Sequence, residues 1–178
     1  MGTEPVAGRV VWVLRHAKAS PHGPDDHSRP LGPKGRRQGA ELEAFLRASA
    51  AELAPVPRLV LSSSALRALE TAELVLPALG DDAELGVEPR LYEADADDVV
   101  TVVREVPDDV GSVMVVGHNP TLHDLALALV GAQDHQGRAR LEEGFPTGAL
   151  AAVRSPADRW SRLQMGEGDL LAMFTPGR

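Results

Sequence analysis

The chain has 178 residues, 43% of them hydrophobic, enough to bury the core of one domain expected to span 1–178 with its core at about 9–175. A formal net charge of −8 disfavours nonspecific contact with nucleic acid or an anionic membrane, because the average field repels polyanions. The absence of cysteine removes disulfides, thiolate metal sites and thiol nucleophiles.

No apolar run has the length of a membrane span, and no basic start followed by an apolar stretch marks a secretory signal, so a cytoplasmic protein is expected. The first element is the run Val10-Val11-Trp12-Val13-Leu14-Arg15-His16, apolar without alternation and therefore a strand buried on both faces. Ala17 to Gly32, rich in Pro, Gly, Asp and His, is a loop over the end of that strand. Pro33 then suits a first helical position, and Leu42, Phe45, Leu46 and Leu53 follow at roughly helical spacing as a crossover helix. Arg58 to Leu61 is a short second strand. Ser62-Ser63-Ser64 offers helix caps, and Leu66, Leu69, Leu76 and Leu79 mark the expected buried face of a second helix.

A weaker strand is expected near Val87, and a short helix from Asp97 to Val106 with its charged residues in water. Ser112 to His118 repeats the unalternating apolar pattern of a buried strand, and Asn119 and Pro120 suit the cap and first residue of a helix through Val130, ended by Gly131. The charged stretch Gln133 to Glu143 is expected as a surface loop, Gly148 to Val153 and Arg159 to Met165 as two further strands, and Asp169 to Phe174 as a tail. Alternating strand and helix signals of this kind define an α/β fold.

His16 and His118 each fall at the carboxyl end of a buried strand, where open α/β sheets place their chemistry. Arg67 falls in the first turn of the second helix if Ser64 caps it, a place that disfavours a cation and favours an anion. A phosphoryl group held there would be drawn by the helix end and the guanidinium together. The alternative is a solvated arginine covering apolar surface with its stem. The chain has only two lysines, Lys18 and Lys34, so nearly all its positive charge is guanidinium, which suits bidentate contact with phosphoryl oxygens. His118 precedes the amino end of a helix, and His16 follows Arg15 directly, pairing a nitrogen nucleophile with a permanent cation. With no serine elbow, thiol or P-loop in the chain, histidine is the plausible covalent catalyst.

Arg15-His16-Ala17, then Ser63-Ser64-Ala65-Leu66-Arg67 with Thr71-Ala72, then Leu91-Tyr92-Glu93, then Gly117-His118-Asn119-Pro120 resemble, in order, the motifs of the histidine phosphatase, phosphoglycerate mutase-like superfamily. The resemblance spans nearly the whole chain and lies nearest the short SixA-type phosphohistidine phosphatases, with Arg29-Pro30-Leu31 and Pro146-Thr147-Gly148 as further points of likeness. It implies a three-layer α/β/α sandwich with a mostly parallel central sheet and no large lid insertion, since Gly80 to Arg90 leaves room for a short connection only. It implies His16 as nucleophile, Arg15, Arg67 and His118 as the phosphate pocket, and Glu93 as acid and base, with Asp95 as the substitute candidate. No cofactor and no metal are implied.

One departure is Ala17, where many members carry glycine, with Lys18 following; the methyl group costs little unless a positive φ or a close backbone approach is needed there, and a narrower pocket with the chemistry intact is expected. His22 and His27 share their loop with Asp25 and Asp26, but a short solvated loop makes a poor metal cage, and Asp26 and Arg29 are expected to order the loop. His123 and His135 are read as a helix residue and a surface-loop residue. The expected substrate is protein phosphohistidine, with a phosphorylated protein such as a histidine-phosphotransfer domain as partner. The alternatives are a small phosphate ester handled by a general phosphomonoesterase, and a non-catalytic phosphate-binding module.

Overall fold

The computed structural model describes residues 8–177, so the first seven residues and Arg178 of the expected domain lie outside the described residues. In chain order the elements are β1 (Arg9–Arg15), α1 (Pro33–Leu53), β2 (Leu59–Ser62), α2 (Leu66–Val75), β3 (Glu84–Val87), α3 (Ala96–Arg104), β4 (Ser112–Gly117), α4 (Thr121–Leu129), α5 (His135–Glu142), β5 (Leu150–Ser155) and β6 (Asp169–Phe174). The strands form one sheet in the order β3-β2-β4-β1-β5-β6. Pairings β2/β3, β2/β4 and β1/β4 are parallel, and β5 and β6 run antiparallel.

The central strands are apolar throughout because both of their faces are covered. Val10, Trp12 and Leu14 of β1 and Met114 and Val116 of β4 point to one side, where they pack with Leu42 and Leu46 of α1 and Ala68, Ala72 and Val75 of α2. Val11, Val13, Val113 and Val115 point to the other side and meet α3 and α4 through Val99, Val103, Leu122 and Leu125. This strict alternation produces the three-layer sandwich that the resemblance implies. Register levels the strand ends: Arg15 lies opposite Gly117 and Ser62 opposite Val116, so β1, β2 and β4 all release their chains at one edge. No large insertion interrupts the sheet, and among the described residues no helix is long and apolar enough to cross a membrane.

Several expectations are corrected. The second helix buries Ala68, Thr71, Ala72 and Val75, while Leu66 is exposed and Leu69 and Leu76 only partly covered; of the expected face only Leu79, beyond the helix, is buried. Small residues on the inner face let α2 sit close to the sheet and to α1, where Leu74 packs over Gly39. Its N-cap is Ala65 without a side-chain bond, because the Ser64 hydroxyl pairs with His27 Nε2 at 2.9 Å. Pro120 is itself the N-cap of α4, and Asn119 instead donates from Nδ2 to Phe145 O at 2.8 Å. The stretch expected as a surface loop contains α5, whose N-cap Asp134 accepts from Gly137 N and whose Leu141 is buried; His135 is its first residue.

Arg159 to Met165 forms no strand. Trp160 is buried with its indole Nε1 donating to Val110 O at 2.6 Å, and that anchor bends the segment into a single 3₁₀ turn at Trp160–Arg162. The expected tail is β6, paired with the far side of β5, which itself starts at Leu150.

The loop after β1 lies directly on the first turn of α1. A methyl group at Gly35 would overlap the Lys18 carbonyl oxygen, which already accepts from Gly32 N at 3.0 Å. Gly35→Ala is therefore expected to cost about 1–3 kcal/mol of stability, read as a lowered urea midpoint with unchanged slope. A midpoint equal to that of the wild type contradicts this packing.

Candidate active site

His16 extends β1 by one residue, its backbone N–H donating to Gly117 O at 2.9 Å. Ala17 N is held by Thr71 Oγ1 at 2.9 Å, and Thr71 Oγ1 donates to Arg67 O at 2.7 Å, so the exit of β1 is tied to the first turns of α2. Ala17 is fully buried and has no positive φ, so its methyl group is accommodated without strain. His118 follows β4 directly and accepts Leu122 N on its carbonyl at the start of α4.

These connections bring two imidazoles and a guanidinium together. The rings of His16 and His118 lie 5.1 Å apart between centroids, tilted at 56°. Arg67, only 6% exposed, donates from Nε toward His16 Nε2 at 3.4 Å and from Nη2 toward His118 Nδ1 at 3.4 Å. Arg15 lines the same pocket, with Nη1 donating to Phe145 O at 3.0 Å and its buried Nε without a hydrogen-bond partner among the described residues. Glu93, Asp95, Lys18, Arg29 and Asp26 also border this pocket of about 600 Å³.

The partners assign the tautomers. His16 Nδ1 lies 2.7 Å from Ala17 O, a group that only accepts, so the proton sits on Nδ1 and the Nε2 lone pair faces Arg67. On His118, Nδ1 receives Arg67, which leaves the proton on Nε2, 2.8 Å from Ser63 Oγ. Burial, with the neighbouring arginine charges adding to it, lowers His16 to about 4; burial, with His16 and Arg67, lowers His118 to about 3. Both rings are neutral at pH 7. The pocket floor thus presents an unprotonated ring nitrogen beside fixed cations, the setting for in-line attack on a tetrahedral anion.

Of the two candidate acids, Asp95 is engaged as the N-cap of α3: Oδ1 accepts Asp98 N at 2.9 Å, and Asp98 Oδ2 accepts Asp95 N at 3.1 Å. The exposed Glu93 makes no hydrogen bond or salt bridge among the described residues, and it alone of the non-glycine residues there has positive φ, +62°. In the loop after β1, Asp26 binds Arg29 as expected, but it also binds Arg67 and the hydroxyl of Tyr92, which sequence reasoning missed together with the Ser63 and Thr71 contacts. Ser63 and Thr71 stand inside the motifs quoted above, so their places were readable; Asp26 had no periodic signal to mark it. His22 is exposed away from the pocket, whereas His27 sets its ring edge-on to Tyr92 at 4.8 Å. His123 Nε2 donates to Leu141 O at 2.8 Å and its ring stacks on Phe145, a packing role.

The sequence model of the histidine phosphatase superfamily (branch 1) matches residues 11–106, a span holding His16, Arg67 and Glu93. An uncharacterized protein of Mycobacterium leprae (strain TN) is 37% identical over 169 residues, covering 92% of this chain and 99% of its own. The solved structure of SixA from Nakamurella multipartitia superposes with a TM-score of 0.79 at 28% identity, covering 98% of this chain and 100% of that one. A protein histidine phosphatase SixA complexed with tungstate superposes with a TM-score of 0.70 at 25% identity over 94% of this chain and 97% of that one.

The lowered histidines set a pH dependence of stability. In the unfolded chain both rings take up protons near 6.5, while the folded protein resists protonation down to about 4 and about 3, so the stability they carry is complete above 6.5 and is lost as pH falls below it. The melting temperature is expected to fall between about pH 7 and about pH 4.5, and the double variant His16→Gln/His118→Gln is expected to show a shallower fall. Equal slopes for the two proteins contradict the assignment.

Proposed function

The chain belongs to the histidine phosphatase superfamily, branch 1, and from that membership we propose that it is a phosphatase working through a phosphohistidine on His16, with protein phosphohistidine as its substrate. The observation that carries this reading is the Nε2 lone pair of His16, freed by the Ala17 O contact and set 3.4 Å from Arg67 Nε in a pocket shared with Arg15 and His118.

In the first step His16 Nε2 forms a bond to phosphorus as the bond to the leaving group breaks. Arg15, Arg67 and His118 hold the equatorial oxygens and offset charge in the transition state. His118, kept neutral first by burial, takes up a proton on Nδ1 as the anion arrives, whose charge opposes that burial, and Nδ1 then exchanges Arg67 Nη2 for a phosphoryl oxygen. Glu93 gives a proton to the leaving group, then takes one from the water that cleaves the nitrogen–phosphorus bond and releases phosphate. With Asp95 held as a cap and Glu93 unpaired, Glu93 is the fitting acid. A catalytic domain of about residues 9–175 performs both steps.

A protein substrate is favoured by the pocket's open side. The connection between α2 and the Glu93 turn consists of the short edge strand β3 and two tight turns, with no inserted segment to enclose a small metabolite. A phosphohistidine displayed on a protein, as on a histidine-phosphotransfer domain, reaches such a pocket without a lid. Imidazole also leaves more readily than an alkoxide, which suits an acid on an exposed turn.

Three measurements test this. Mixing the protein with a phosphodonor and quenching is expected to trap an acid-labile, alkali-stable phosphate on His16, absent from His16→Ala; a phosphate that persists in that variant rejects the nucleophile. Turnover of a phosphorylated histidine-phosphotransfer protein is expected to exceed that of sugar and nucleotide phosphates, and the reverse preference rejects the substrate. Glu93→Gln is expected to slow ester hydrolysis by about 10²–10⁴-fold and phosphohistidine hydrolysis by less. Equal losses on both substrates remove Glu93 as the leaving-group acid.

A further inference from the structure

Asp26 lies in the loop after β1, and its side chain is 55% exposed. An exposed carboxylate of that kind is ordinarily solvated, and a surface ion pair contributes little. Here its oxygens are all engaged by pocket residues. Oδ1 accepts from Arg29 Nε at 3.2 Å and Nη2 at 2.7 Å; Oδ2 accepts from Arg67 Nη2 at 3.0 Å and from the Tyr92 hydroxyl at 3.0 Å; and the backbone carbonyl accepts from Arg67 Nη1 at 2.7 Å.

We propose that Asp26 is a positioning residue for phosphoryl transfer: by gripping the outer end of the Arg67 guanidinium it aims the Nε edge at His16, and through Tyr92 it fixes the turn that carries Glu93. The guanidinium is planar and rigid, so fixing Nη1 and Nη2 at Asp26 determines where Nε points. That direction is the one observed, toward His16 Nε2, with Nη2 also reaching His118 Nδ1. The Tyr92 hydroxyl is anchored one residue before Glu93, whose positive φ needs a neighbour to hold it. The loop is itself seated on α2, Leu66 N donating to His27 O at 3.0 Å, so the grip is not a floating contact. The hydrogen bonds from Arg29 and Tyr92 and the Arg67 charge keep the Asp26 carboxyl well below the usual range, so it stays ionised at working pH and supplies geometry, not a proton.

This proposal rests on the phosphatase reading, and wild-type turnover lost in His16→Ala tests that reading separately. The experiment compares Asp26→Ala, the isosteric Asp26→Asn, Arg67→Ala and the double variant Asp26→Ala/Arg67→Ala on phosphohistidine substrate, with rates expressed per phosphorylatable His16. Asp26→Ala is expected to lower kcat by about 10- to 100-fold, as misplacement of a catalytic group does, with tungstate binding as tight as in the wild type or tighter because a negative charge has been removed from beside the anion. Asp26→Asn, which keeps the backbone contact and one accepting oxygen, is expected to lose less. Adding Asp26→Ala to Arg67→Ala is expected to cost less in kcat than Asp26→Ala costs alone, because the route through Arg67 is already lost and only the Tyr92 route remains. The proposal is overturned by unchanged kcat in Asp26→Ala, by kcat and tungstate affinity falling together in Asp26→Asn, or by a full additional loss in the double variant.

Discussion

An arginine only 6% exposed has to find compensation for its charge inside the protein, and the place where Arg67 finds it determines the rest of the pocket. Its donors are distributed among two neutral imidazole nitrogens and two oxygens of Asp26. Of these partners only Asp26 carries charge. Two of its donors thus face uncharged ring nitrogens inside the pocket, where a tetrahedral anion is a stronger acceptor than either ring. Burial first, with the neighbouring arginine charge adding to it, lowers both histidines, so the His16 ring nitrogen that faces Arg67 is kept free of a proton.

The sheet makes this possible. Arg15 and Gly117 pair across β1 and β4, and Ser62 lies beside Val116, so His16, Ser63 and His118 all emerge at one edge without any long segment to guide them. Ser63 then orients His118, and Thr71 fastens the chain after His16 to the helix of Arg67. Residues about fifty positions apart in the chain are brought to hydrogen-bond distance by strand register and two short connections.

Much of this was readable in the chain. Two apolar runs without alternation located β1 and β4, and the residue ending each was the histidine that the pocket uses. What escaped was marginal in physical terms. The strand β6 is an edge strand with only Ala172 buried, and its register with β5 shifts at Ala152 and Val153, so its sequence carries no clean period of two. Helix α5 has eight residues and buries only Gly137 and Leu141, too little for an apolar stripe. In α2 the leucine spacing predicts one buried face, whereas close packing puts Ala68, Thr71, Ala72 and Val75 against the sheet. Asp26 sits in an irregular loop, where spacing conveys no contact.

The turn of Glu93 shows how those irregular parts serve the regular ones. A glutamate at φ +62° occupies a region where a side chain costs free energy, and a single residue does not hold it unaided. Before it, the 3₁₀ turn Pro89–Leu91 is capped by Glu88 and leads into Tyr92, whose hydroxyl is bound to Asp26. After it, Asp95 and Asp98 form the reciprocal cap that starts α3, with Leu91 and Val99 buried on either side. Anchored at both ends, the turn projects one carboxylate without a partner over a pocket in which Asp26 is engaged by arginines and Asp95 by a helix cap. A carboxylate free to exchange a proton is thereby held in place by its neighbours' bonds, without bonds of its own.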